Sequence, residues 1–146
     1  NDNFDIKSSH VIPGLISKFL LAKKKKTNVV VWGSGKAIRE FLFVDDLANA
    51  IYKVLTTSRK KFKLICKDNV PMFNVGSGEF ISIKNLVKKI KKITNFKGKV
   101  IFDKSYPDGT LNKNLNSAKI RKLNWKPRIK LATGLLKVVK YKLHND

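Results

Sequence analysis

The stretch Val29-Val30-Val31-Trp32-Gly33-Ser34-Gly35-Lys36-Ala37-Ile38-Arg39-Glu40-Phe41-Leu42-Phe43-Val44-Asp45-Asp46 decides how this chain is read. Val29 to Trp32 is a β-branched and aromatic run, which favours a buried strand. Gly33 and Gly35 punctuate it as a turn. Phe41 to Val44 is apolar again and predicts a second extended run. Asp45-Asp46 then offers an N-cap and negative charge to a helix N-terminus. Trp32 and Arg39 are held on a short excursion between two apolar segments. A flat aromatic beside a guanidinium suits a base or sugar ring and a phosphate. Two structural readings stay open here: Trp32 as core, and Arg39 as the partner of Asp45 or Asp46. Gly33-Ser34-Gly35 is not a dinucleotide fingerprint, because Ile38 stands at the third glycine position and the chain stays extended.

Outward from this stretch, the chain alternates strands and helices, which predicts an α/β fold. On the N-terminal side, Ser8 and Ser9 are cap candidates and Pro13 fits a first turn. The helix expected there runs from Val11 to Lys24, with Leu15, Phe19 and Ala22 or Lys23 on one stripe and Ile12 and Ile16 beside it. His10 stands at its entrance, and as a residue alone reads as a cap, a surface group or a proton-transfer group. The Lys23–Lys26 run closes the helix with favourable charge. On the C-terminal side, Leu47 to Thr57 reads as an amphipathic helix burying Leu47, Ala48, Ile51 and Leu55. A polar connection from Ser58 to Pro71 follows, and then a short strand from Met72 to Val75. Gly76-Ser77-Gly78 again lacks a third glycine. Ser82 caps a helix with the stripe Ile83, Leu86, Val87, Ile90, Ile93. Lys99 to Asp103 is a strand, Tyr106-Pro107-Asp108-Gly109 a turn, Asn116 to Leu123 a short helix, and Leu131 to Leu143 a final one.

Composition narrows the function. The 146 residues hold 32 Lys+Arg against 10 Asp+Glu, a formal charge of +22. Arginine is confined to positions 39, 59, 121 and 128, so lysine carries this charge. Specific nucleic-acid sites use arginine's fork, so the lysines read as solvated surface. A lysine-rich nucleic-acid-binding domain remains the reading from a different class. Single Cys66 excludes an internal disulfide, and one Cys with two His gives no zinc spacing. No apolar run reaches membrane-spanning length, and a cytoplasmic setting is expected. The chain opens on Asn1 with Met72 as its one methionine, so it reads as a fragment.

The sequence VVVWGSGKAIREFLFVDDLA resembles the VVVWGxGxxxREFLHVDD segment of the GDP-L-fucose synthase family, extended short-chain dehydrogenase/reductases. The resemblance continues through DNF…SSHVIPGLI, FNVGSGEFISI, VIFDKSYPDGT and LNWKPRI. It implies that residues 1–146 form a single C-terminal, substrate-binding lobe with edge strands of the Rossmann sheet. The NADP-binding N-terminal part, with the Tyr-x-x-x-Lys pair and the catalytic cysteine, would be missing. The implied reaction converts GDP-4-keto-6-deoxymannose to GDP-L-fucose by epimerisation at carbons 3 and 5 and NADPH-dependent reduction. The chain alone is then expected to lack reductase activity.

By the same resemblance His10, in the SHVIP motif, is the catalytic acid or base and also touches NADP(H). An imidazole can give or take a proton near neutral pH. Lys18, Trp32, Arg39, Asp108 and Lys113 fall at substrate-binding positions, with Arg39 on the diphosphate. The chain departs from the pattern at Tyr106, where lysine is usual, at Leu111-Asn112 in place of Pro-Arg, and at Asn116 in place of aspartate. The partners implied are a GDP-sugar and a second copy in a homodimer, with no specific nucleic acid and no membrane. Another sugar-nucleotide epimerase or dehydratase, or a non-catalytic remnant kept as an interaction module, stays open as an alternative.

Overall fold

The computed structural model describes residues 2–67 and 70–145. In chain order its elements are α1 (Val11–Lys25), β1 (Val29–Trp32), β2 (Ile38–Glu40), α2 (Val44–Leu55), α3 (Arg59–Ile65), β3 (Phe80–Ser82), α4 (Ile83–Ile93), β4 (Val100–Asp103), α5 (Ala118–Arg121) and α6 (Leu131–His144). β1 and β4 form a parallel pair, with Val29 opposite Val100 and Trp32 opposite Asp103. β2 pairs with β3. The fold is α/β, as expected. The chain divides into two compact units, Asn1–Arg39 with Ile81–Asn112 and Ala132–Asp146, and Glu40–Phe80 with Lys113–Leu131.

The first unit is built around α1, β1, β4, α4 and most of α6. The α1 stripe is buried through Leu15, Ile16, Phe19 and Ala22. Phe19 meets Phe96 edge to face at 5.3 Å between centroids. Leu86, Val87 and Ile90 of α4 and Leu135 and Val139 of α6 complete the apolar interior. Ser82 caps α4 as expected, its Oγ accepting from the Asn85 N–H at 3.2 Å. The α1 entrance differs from expectation. Its N-cap residue is His10, with no side-chain cap bond. Ser8 instead donates its hydroxyl to Asp5 at 2.8 Å, a local turn that competes with capping. At the other end Lys26 adopts a left-handed φ of 55° and closes the helix on the Ala22 carbonyl.

β1 alternates as a half-covered strand must: Val29 and Val31 are buried, Val30 and Trp32 exposed. Trp32 is 51% exposed, which removes its core reading. The second extended run lies at Ile38–Glu40 rather than Phe41–Val44. Its position is set from a distance, because the Ile38 N–H donates to the Leu111 carbonyl at 2.7 Å. Local apolarity could not show that partner.

The second unit has its own core of Ala50, Ile120, Leu123 and Trp125, with Leu42, Val54, Ile65, Phe73 and Val75 against it. Here α2 is rotated from expectation. Asp46 and Ala50 are buried, while Val44, Leu47, Ile51 and Leu55 are exposed. The reason is Asp46, whose carboxylate accepts from the backbone N–H groups of Arg128 at 3.0 Å and Ile129 at 2.9 Å. The inward side of α2 is thus Asp46, Ala50 and the partly buried Val54, while Asp45, Asn49 and Lys53 stay exposed. Asp46 is therefore neither the N-cap, which is Phe43, nor the partner of Arg39. The connection after Ser58 holds a helix, α3, because the Ser58 hydroxyl accepts from the Lys61 N–H at 3.3 Å. Met72–Val75 forms no strand and joins the core as irregular chain. Residues 68 and 69 of the same connection lie outside the described residues. Cys66 is a buried free thiol at the end of α3.

Candidate functional site

In the first unit, the loop after β4 folds back along the segment that follows β1. Gly33 and Gly35 take φ of 83° and 76°, values that glycine adopts without strain. The Gly33 N–H donates to the Asp103 carbonyl at 2.8 Å. Asp108 then closes the turn. Its carboxylate accepts from the Ser34 N–H at 2.6 Å and from the Ser34 hydroxyl. A side chain at Gly33 would run into that carboxylate. Two residues on, the Thr110 carbonyl accepts from Arg39 Nη1 at 2.7 Å. The same Nη1 also donates to the Ile38 carbonyl at 2.7 Å. Residues 106–112 thus form a strap laid over residues 32–39.

The aromatic end of this strap lies on Trp32. Tyr106 and Trp32 are stacked, with centroids 4.8 Å apart and planes inclined by 14°. The Lys18 ammonium sits 4.3 Å from the Trp32 ring centroid and donates to the Val30 carbonyl at 3.1 Å. Burial lowers the Lys18 pKa, consistent with an ammonium drawn onto an indole. Lys18, Trp32, Arg39 and Asp108, singled out from the sequence, are therefore joined by direct contacts through one strap. His10 enters none of these contacts. Its imidazole is 92% exposed at the mouth of α1, 3.9 Å from Asp2. Lys113 is exposed and belongs to the second unit.

Sequence reasoning missed Ser34 and the use made of Tyr106. A serine between two glycines, with an acidic turn elsewhere, was the available signal. It is weak, because the two partners lie 74 positions apart.

The Ser34 hydroxyl above all, helped by the Ser34 and Gly35 N–H groups and the Lys36 charge, holds the Asp108 carboxyl below its ordinary 3.8, against the opposing effect of burial, which is second in size to the hydroxyl. A depressed folded value stabilises the docked strap fully above that range and no longer once pH falls through the folded value. The strap is therefore expected to stay docked at neutral pH and to release in acid, read by Trp32 emission. In D108N that release should already be present at neutral pH. Identical emission curves for D108N and the parent would show that the carboxylate does not hold the strap.

Neither glycine turn offers a dinucleotide cradle. The space beside Gly33 is taken by Asp108, beside Gly35 by Phe102, and beside Gly76 by Glu40. Both turns lead into strands rather than helix N-termini. Among the described residues no cluster could hold a metal ion, and no helix is long and apolar enough to cross a membrane.

Residues 1–76 match the NAD dependent epimerase/dehydratase family. Across 145 residues the chain is 41% identical to the probable GDP-L-fucose synthase 1 of Oryza sativa subsp. japonica, covering 99% of this chain and 42% of that protein. Two solved structures are similar. One is a GDP-L-fucose synthetase from Naegleria fowleri bound to NADP, with TM-score 0.84, 29% identity, and 99% and 43% of the two chains covered. The other is a GDP-6-OMe-4-keto-L-xylo-heptose reductase from Campylobacter jejuni, with TM-score 0.85, 31% identity, and 99% and 50% covered. The chain spans half or less of the length of these relatives.

Proposed function

As the chain belongs to the NAD dependent epimerase/dehydratase family, we propose that it is the C-terminal, substrate-binding part of a GDP-L-fucose synthase. The whole enzyme would act on GDP-4-keto-6-deoxymannose, epimerising carbons 3 and 5 and reducing the 4-ketone with NADPH. The observation that carries this reading is the strap. It lies against an exposed indole and ties a guanidinium on the segment that follows it, while an ammonium from α1 sits over the same indole. The part of the indole left exposed beside Tyr106 and Lys18 suits contact with a guanine or sugar ring, and the two cations suit a diphosphate. The bonds of Arg39 to the strap carbonyl of Thr110 and to the Ile38 carbonyl both come from Nη1, so the other edge of its fork is assigned to phosphate.

His10 is assigned the proton transfer of epimerisation. The 4-ketone acidifies the hydrogens on the neighbouring carbons, and an imidazole on an exposed helix mouth can remove or return one. His10 is also the one residue of this chain assigned to touch NADP(H). The two glycine turns do not fit a dinucleotide, so the cofactor is assigned to residues beyond this chain. Lys113 is assigned a substrate contact in the second unit. The working state would be a homodimer.

Calorimetric titration with GDP and UDP at physiological salt tests this reading; salt limits non-specific attraction of anions to a +22 chain. The chain is expected to bind GDP more tightly than UDP, and Trp32→Ala should lower GDP affinity roughly tenfold. Equal affinity for the two nucleotides would favour a different sugar-nucleotide enzyme of the family. Absence of GDP binding would remove the proposal. The likeness to the Campylobacter reductase supports one second reading, a GDP-heptose reductase. It shares the nucleotide and differs in the sugar, so GDP-linked sugars compared at equal concentration separate the two.

A further inference from the structure

We propose that Tyr106 is a positioning residue of the nucleotide site, holding the Trp32 indole in the orientation that receives the ligand. This rests on the reading of Trp32 and Arg39 as GDP contacts. Trp32 is the last residue of β1 and half of it faces solvent. An exposed tryptophan at a strand end has several rotamers open to it, and each must be given up on binding. Tyr106 restricts that choice. Its ring lies nearly parallel to the indole, 4.8 Å away, in the offset range where aromatic pairs attract.

Tyr106 can serve this way because it is itself held from both sides. Upstream, the Asp103 carboxylate accepts from the Ser105 N–H at 3.0 Å and the Ser105 hydroxyl at 2.6 Å, fixing the turn out of β4. Downstream, Pro107 fixes its own φ, and Asp108 is gripped by Ser34. Thr110 is tied to Arg39 and Leu111 to Ile38. The indole and the guanidinium are thus set by one strap. Lysine is the residue the family pattern carries at this position; it would place a flexible cation there, whereas tyrosine places a flat ring. The phenol ring, rather than its hydroxyl, is the part that acts.

Tyr106→Ala and Tyr106→Phe separate this role from a general structural one. Acrylamide quenching without ligand reads Trp32, since Trp125 is buried. Isothermal titration with GDP reads the site, and thermal unfolding controls for folding. Tyr106→Ala is expected to raise Trp32 quenching and lower GDP affinity roughly three- to tenfold, with little change in melting temperature. Tyr106→Phe should match the parent in both. If Tyr106→Ala binds GDP as tightly as the parent or more tightly, Tyr106 does not position the indole, and the GDP reading stands without it. If Tyr106→Phe behaves like Tyr106→Ala, the stacked ring is not the cause and the role is overturned. If the parent chain binds no GDP, both readings fall together.

Discussion

An Asp46→Ala variant is expected to lose about 3–4 kcal/mol of folding stability. The Asp46 side chain is buried, and its two oxygens accept from two successive backbone N–H groups, those of Arg128 and Ile129. Hydrogen bonds to a charged group are worth about 1.5–3 kcal/mol each, and removing the acceptor leaves both donors without their partner. The loss belongs to the second unit, where α2 is anchored to the segment after Trp125. Urea unfolding followed by Trp125 fluorescence measures it. Asp46→Asn keeps one acceptor oxygen and should lose less. An unchanged unfolding midpoint for Asp46→Ala would mean that the two N–H groups find other acceptors and that α2 is oriented by something else.

Phe19→Ala is expected to cost about 3–5 kcal/mol, the range for truncating a fully buried aromatic. Phe19 has no exposed surface, and its ring meets the buried Phe96 edge to face. The substitution removes this pair and opens a cavity between α1 and the chain after α4, both tied to the first unit. Lys23 reinforces the same region by donating to the Thr94 carbonyl at 3.0 Å, so the wall cannot easily collapse into the gap. Phe19→Leu should lose a fraction of this, since volume is partly kept. Denaturant unfolding of the two variants checks the ordering. A loss under about 1 kcal/mol for Phe19→Ala would show that the cavity closes.

The two positions differ in how they could be read beforehand. Phe19 lies on a stripe of Leu15, Phe19 and Ala22, and helical periodicity is enough to place it inside. The same holds for Leu86, Val87 and Ile90 in α4, and for Val29 and Val31 in β1. Asp46 looked like a helix cap because the local pattern fits one. Its actual partners lie more than 80 positions away, and no local pattern reports them. The rotation of α2 follows from that same bond, so helical periodicity alone puts its apolar row on the wrong side. β2 was misplaced for a like reason: its hydrogen-bond partner is the strap.

The candidate site was legible to the same extent. Trp32, Arg39, Asp108 and Lys18 could be named from their motifs, and direct contacts through one strap join them. What could not be read was that Asp108 is bound by Ser34, or that Tyr106 lies on Trp32. Both are pairings between distant parts of the chain.

The outward row on α2 has a colloidal consequence. Val44, Leu47, Ile51 and Leu55 are a sticky strip on a molecule carrying 22 excess positive charges. Mutual repulsion keeps copies apart while counterions are scarce, and its reach shrinks to about 8 Å at 0.15 M salt. Added electrolyte therefore brings the chain closer to precipitation, so its storage buffer should be dilute in ions.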